Sequence, residues 1–457
     1  MEAAACDLLP LPAMTEFPLE MYRIKMIERV RPTTRDERLR ALAAAGYNLF
    51  RLPAELVFID FLTDSGTAAM SDAQWAAMMT GDESYAGSRS FDRFERTVRG
   101  LFGFEHVIPT HQGRAAEHIL CEVMLKPGDA VTNNSHFDTT RAHVEHAKAT
   151  AIDCVSDCAY ISDRECPFKG SIDLAKLKTA LDCHRVPFGM ITVTNNSGGG
   201  QPVSLKNLRD VAAMLHDRGT PLFIDACRFA ENAWFIHERE EKRPIRDIVR
   251  DMFAVADGCT MSAKKDGLAN IGGFFACRDA SLAEEYKQLL ILYEGFPTYG
   301  GLAGRDLEAI AVGLEEAVDE DYLRGRVGQV KWLAERLSAA GVPVVKPAGG
   351  HAVFLDARKF LPHIPTEALP AQALACELYV EGGVRACEIG GLMFPGTSAM
   401  DLVRLAIPRR VYTLSHLDYA AETVLRVFRR RASMKGMRIV KEAPVLRHFT
   451  AELAPLT

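Results

Sequence analysis

FGMITVTNNSGGGQPVSLKNLRDVAAMLHDRGTPLFIDAC, residues 188–227, decides the fold. FGMITVTNN (188–196) is a short run rich in β-formers, closed by two asparagines and, one residue on, three glycines. SLKNLRDVAAMLHDRG (204–219) follows at helical spacing, with Ser204 placed to cap its start and Gly219 to end it. PLFIDAC (221–227) is again short, apolar and strand-like. Strand, helix, strand predicts parallel neighbours in a sheet covered on both faces. The alternation extends N-terminally, where HVIPT (106–110) reads as a strand. RAAEHILCEVML (114–125) reads as a helix carrying Ile119, Leu120, Val123 and Met124 on one face.

After about residue 310 the pattern changes. VKWLAERLSAAG (330–341) reads as an amphipathic helix closed by Gly341, and VPVVKP (342–347) and HAVFLDA (351–357) as strands of a smaller α+β domain. A chain of 457 residues exceeds what one core usually holds. The expected division is a loose tail over 1–17, a segment over 18–60 that joins the small domain, a large α/β domain over 61–310 and the small domain over 311–457.

Composition narrows the function classes. The net charge is -6 and the charged residues, 25%, mix both signs, so no basic stripe points to nucleic acid. No apolar run has the length of a membrane span, and MEAAACDLLPLPAM lacks the basic start of a signal peptide. The eleven cysteines form no CxxC pair, which predicts reduced thiols and a cytoplasmic protein.

Asp225 ends the strand PLFIDAC, at the edge where open α/β sheets bind ligands. ADGCTMSAKKDG (256–267) then brings Ser262, Lys264 and Lys265 after another apolar stretch. A strand-end acid followed by Ser-x-Lys-Lys is a pattern of pyridoxal-phosphate (PLP) enzymes. The lysine amine takes the cofactor's aldehyde, and the acid keeps its pyridine nitrogen protonated. The pair alone is a weak signal, because strand-end acids often cap turns and paired lysines are often solvated. PTHQGRAAEHIL (109–120) strengthens it: Gln112, Gly113 and Arg114 stand at a helix start, where free amides suit a phosphate. Asn195 and Asn196 end a strand before the glycine run, where an amide could meet the cofactor's ring oxygen.

The chain resembles the β-eliminating lyases from about residue 18 to its C-terminus. The resemblance is carried by IDFLTDSGT (59–67), GDESYAGSRS (81–90), PTHQGR (109–114), GGQPVS (199–204), DACRFAENAWFI (225–236), MSAKKDG (261–267), EGFPTYGGLAGRD (294–306), GGHAVFLDA (349–357), RLAIPRRVYT (404–413) and VLRHFTAEL (445–453). It implies a PLP-dependent lyase of the aspartate-aminotransferase-like fold type I. It also implies a homotetramer with active sites shared between subunits, a small amino-acid substrate and a nearby monovalent cation, usually potassium.

By motif, Lys265 resembles the Schiff-base lysine and Asp225 the partner of the pyridine nitrogen. Arg228 and Asn196 resemble contacts to the ring oxygen, and Phe137 a ring that stacks on the cofactor. Gln112, Gly113, Arg114, Ser262 and Lys264 resemble a phosphate cradle. Arg404 resembles the clamp on the substrate carboxylate, with Thr63 assisting. Tyr85 resembles a proton-transfer tyrosine given across the subunit interface, and Gly66, Glu83 and Asn270 resemble the cation site.

The family has two sister activities, one releasing indole from tryptophan and one releasing phenol from tyrosine. Asp138, Ile389 and His448 each match the indole-releasing branch, with Asp138 and His448 set to handle the indole N–H. Asn270 and the double arginine in RLAIPRRV lean toward the phenol-releasing branch, but neither reads the leaving group. Between Gly391 and Arg404, GLMFPGTSAMD is shorter than the equivalent loop of either branch. Tryptophan is therefore the expected substrate and tyrosine the alternative.

Overall fold

The computed structural model describes residues 19–396 and 400–456. The expected tail over 1–17 and positions 397–399 of the GLMFPGTSAMD loop lie outside them.

A seven-stranded sheet carries the larger core. Its strands are β1 (His106–Thr110), β2 (Ala130–Asn133), β3 (Thr150–Asp153), β4 (Gly189–Thr192), β5 (Leu222–Asp225), β6 (Gly258–Ser262) and β7 (Gly273–Cys277). They lie in the order β1-β7-β6-β5-β4-β2-β3. All neighbours from β6 to β3 pair in parallel, and β7 is antiparallel to both β6 and β1. Both faces are apolar, as parallel strands require. Leu222 and Ile224 of β5 enter one hydrophobic cluster, while Phe223 between them enters another with Val131, Met190 and Phe275.

The local signals act as chemistry dictates. Ser204 Oγ accepts from the Asn207 amide at 3.0 Å and starts the helix Leu205–His216. Gly219 takes a left-handed φ of 66° after it. The helix read over 114–125 is α1 (Gly113–Met124), and α2 (Asp138–His146) packs beside it.

The second core holds a three-stranded antiparallel sheet, β8 (Ala352–Asp356), β9 (Cys387–Ile389) and β10 (Leu402–Ala406), in the order β9-β10-β8. Its apolar cluster draws on Ala41 to Phe61 as well as on Val330 to Leu453. Ile59–Asp60 pairs in parallel with Val384–Arg385, and Arg38 donates to the Val380 and Glu381 carbonyls at 2.9 Å each. These contacts fasten the N-terminal segment to this core. The two cores meet inside α3 (Glu320–Ala339): Leu323 and Val327 belong to the first cluster, Val330, Leu333 and Leu337 to the second.

VPVVKP departs from expectation. It forms no strand, only a single bridge from Val344 to Leu355. Pro343 and Pro347 bring no N–H to a ladder, so pairing stops after one residue.

Candidate active site

The parallel strands end on one side, and their following loops converge there. A cavity of about 280 Å³ opens at that edge, against β10 and the C-terminal segment. Thr63, Gln112, Gly113, Arg114, Phe137, Asp138, Asn196, Asp225, Arg228, Ser262, Lys264, Lys265, Arg404 and His448 all border it. A roomier groove of about 790 Å³ lies under Leu19–Tyr22 and shares no lining residue with it.

One end is built for an anion. Gln112 caps α1 without a side-chain bond, while the Ala115 and Ala116 amides donate to its carbonyl at 3.1 and 3.4 Å. A Cβ on Gly113 would stand 2.6 Å from Ser262 Cβ, so only glycine lets the turn and β6 approach this closely. Lys264 Nζ reaches Gln112 Oε1 at 3.4 Å. Burial pushes the Lys264 amine down, and the charges of Lys265 and Arg114 push it further. Among the described residues, none of Arg114, Lys264 and Lys265 makes an ion pair. Two unpaired cations, Arg114 and Lys264, beside a helix N-terminus fit a phosphate.

The middle is set for a heteroaromatic ring. Burial pushes the Asp225 carboxyl up, and the Lys265 charge is the chief effect opposing it. Its Oδ1 accepts from the Cys227 amide at 3.2 Å. Phe137 stands half-buried on the same cavity, one residue before α2. Asn196 Oδ1 takes Arg404 Nη1 at 3.1 Å and His351 Nε2 at 2.9 Å. Burial, reinforced by the Arg228 charge, holds the His351 imidazole well below its ordinary pKa. The ring is therefore neutral and its Nε2–H donates to Asn196. Arg404 Nη2 donates to the Leu62 carbonyl at 2.9 Å, while its Nε has no partner. An amine and a carboxylate, a stacking face and a guanidinium with a free N–H satisfy the needs of PLP and an amino acid together.

Arg228 is more constrained than sequence implied. Nε and Nη2 grip Asp64 at 2.9 and 2.7 Å, leaving Nη1 toward Cys227 Sγ at 3.7 Å. Arg409 completes the grip: Nη1 meets Asp64 at 2.9 Å, and Nη2 meets Glu231 and Asp266 at 2.8 Å each. Arg326 Nε joins Glu231 at 3.0 Å. All six side chains are at most 2% exposed.

The far end is apolar with one polar spot. Phe50, Leu62, Met393 and Phe449 wall it. His448 Nε2 stands 2.9 Å from Asp138 Oδ2, off the line a hydrogen bond needs, so both atoms lack a partner.

Five expected residues, Ile389, Tyr85, Gly66, Glu83 and Asn270, do not border this cavity in their own chain. Ile389 packs behind the wall with Leu62, Phe354 and Met393, while Cys387 of the same strand borders the cavity. Tyr85 is 67% exposed and packs on Tyr299 and Phe296 at 5.1 and 5.6 Å between ring centroids. Asn270 Nδ2 donates to the Gly66 and Ala68 carbonyls at 3.1 and 2.9 Å, while Glu83 meets Arg305 at 3.5 Å. Asp64, Glu117, His351 and Arg409 were not anticipated. Glu117 had a readable signal: it is a charge on the face of α1 that also carries Gly113, Leu120 and Cys121, all buried.

A model of the β-eliminating lyase family matches residues 60–423. A tryptophanase of Hyphomonas neptunium is 58% identical over 95% of this chain and 98% of its own. One from Rhodobacter capsulatus is 57% identical over 96% and 99%. A tyrosine phenol-lyase of Pasteurella multocida is 50% identical over 97% and 100%. Among solved structures, an aromatic aminotransferase from Pyrococcus horikoshii superposes with a TM-score of 0.61 at 15% identity, covering 87% of this chain and 99% of that one. A serine palmitoyltransferase from S. paucimobilis with PLP bound gives 0.59 at 12% identity over 82% and 88%. The architecture is that of the fold type I PLP enzymes.

Proposed function

The chain belongs to the β-eliminating lyase family, and from that premise we infer a PLP-dependent carbon–carbon lyase that splits tryptophan into indole, pyruvate and ammonium. The observation that carries the choice of tryptophan is the buried, unpartnered pair of Asp138 Oδ2 and His448 Nε2 in an otherwise apolar pocket end. A carboxylate there accepts from an indole N–H and repels a phenolate. The higher identity to tryptophanases than to the phenol-lyase supports the same choice.

PLP would be held by Lys265 at its aldehyde, by Asp225 at its ring nitrogen and by the Gln112–Arg114 turn with Ser262 and Lys264 at its phosphate. Bound there, it supplies an electron-withdrawing ring for charge developing at the substrate Cα. Arg228 and Asn196 would face the ring oxygen and Phe137 the ring face. The protein's own part is positioning and proton movement. The free Nε of Arg404 and the Thr63 hydroxyl bind the substrate carboxylate. The Lys265 amine takes the Cα proton. Indole leaves only once its C3 is protonated, and Tyr85 of a second subunit is our candidate acid. Asp138 and His448 hold the indole N–H, and Ile389 backs the wall behind it.

We further propose a homotetramer with shared sites, which fits a tyrosine exposed in its own chain. A potassium site near Gly66, Glu83 and Asn270 belongs to the same reading. All ten described cysteines are unpaired, which fits the cytoplasm. The test supplies purified protein with PLP and potassium, and measures indole from tryptophan and phenol from tyrosine. Indole release should dominate. Faster phenol release overturns the substrate assignment.

A further inference from the structure

Glu117 stands one turn into α1, four residues past Gly113, and borders the same cavity while only 8% exposed. Thr140 Oγ1 of α2 donates to its Oε1 at 3.0 Å, and Thr140 is itself buried. Asp138 begins α2 two residues earlier, and Asp225 ends β5. Besides Asp64, which Arg228 and Arg409 already neutralise, three buried carboxylates thus border one cavity.

Several groups act on Glu117 from the elements packed around it. Asp225 acts from β5, Asp138 and Thr140 from α2 and Lys265 from the loop after β6. Cys121 lies one turn along α1. Lys265 is the single ammonium among them. Three anions around one amine, out of water, is an arrangement proteins avoid by keeping a proton on one acid. Asp225 accepts from the Cys227 amide, and Asp138 accepts from the Thr139 amide at 2.6 Å with His448 close by. Glu117 has the Thr140 hydroxyl as its one donor among the described residues. It is the least supported as an anion.

We propose that Glu117 is a positioning residue carried as the un-ionised acid, which leaves the negative charge at the ring-nitrogen site on Asp225 alone and pins α2 through Thr140 so that Asp138 faces His448. The inference rests on the reading of this cavity as a PLP site. Burial first, then the Asp225 charge, pushes the Glu117 carboxyl up to about 8. Raising the pH through that value adds a second anion beside Asp225 and should alter the visible absorbance of bound PLP.

The experiment titrates that absorbance on either side of pH 8 in wild type and in Glu117→Gln, and measures kcat/KM for tryptophan in Glu117→Gln and Glu117→Ala. The wild-type spectral step near pH 8 should be absent from Glu117→Gln, whose amide keeps the shape without a titrating proton. Glu117→Ala should lower kcat/KM about tenfold, the scale of one lost buried hydrogen bond. Glu117→Gln should recover most of that loss. The inference is overturned if the step stays in Glu117→Gln, or if the glutamine variant is as impaired as the alanine variant. A wild-type protein that takes up no PLP would overturn the cofactor reading itself, and this inference with it.

Discussion

Asp64, fully buried, receives two guanidinium groups, Arg228 through Nε and Nη2 and Arg409 through Nη1. Opposing charges hold its carboxyl well below the usual range despite full burial. Removing one partner of a buried ion pair strands the others, at a cost of about 3–5 kcal/mol. Asp64→Ala should therefore lower stability by about that amount in urea titration, far more than an exposed Asp→Ala change. A loss under ~1 kcal/mol would show that the network relaxes or hydrates. This residue also marks the limit of sequence reading. Asp225 and Lys265 were legible because a strand end and a Ser-x-Lys-Lys run are local signals. Asp64 lies inside IDFLTDSGT, but its partners lie 164 and 345 residues away. No spacing rule reaches that far.

Among the elements, the turn after β9 carries part of the cavity's apolar wall. Glu388 accepts from the Leu392 and Met393 amides at 2.9 and 3.0 Å, and Arg447 donates to the Leu392 and Gly391 carbonyls at 2.9 and 2.7 Å. Met393 and His448 thus reach the cavity from segments tied to each other. Glu388→Ala frees both amides and should raise KM for tryptophan roughly tenfold, about the effect of one lost hydrogen bond, with less effect on a small S-substituted cysteine. An equal loss on both substrates would argue against a role in shaping the indole end. The strands and helices around the site were readable because hydrophobic period and caps are written in neighbouring residues. The wall was not. Ile389 and Cys387 share one face of β9, and only the tertiary placement of the turn decides which of them borders the cavity. VPVVKP shows the converse, since a β-rich composition failed where two prolines withheld N–H groups.

For the whole molecule, the decisive question is whether Tyr85 serves a neighbour. Tyr85→Phe and Lys265→Ala should each be nearly inactive alone. In a co-refolded mixture, some sites would pair an intact Lys265 with an intact Tyr85 from the other chain. Activity should then return to roughly a quarter of wild type, the ceiling for random pairing across a two-fold interface. A mixture no more active than its components would place Tyr85 in its own subunit's site.

The six-membered network of Asp64, Arg228, Glu231, Asp266, Arg326 and Arg409 balances three negative against three positive side chains. That balance bears on how such a protein can diversify. Arg409 serves three carboxylates and Glu231 serves two guanidiniums, so exchanging any one member leaves an odd charge in the interior. A library that scans these positions one at a time should find them frozen. A library that swaps opposite-charge partners together for apolar residues of matched volume should recover folded variants that the single scan never reaches.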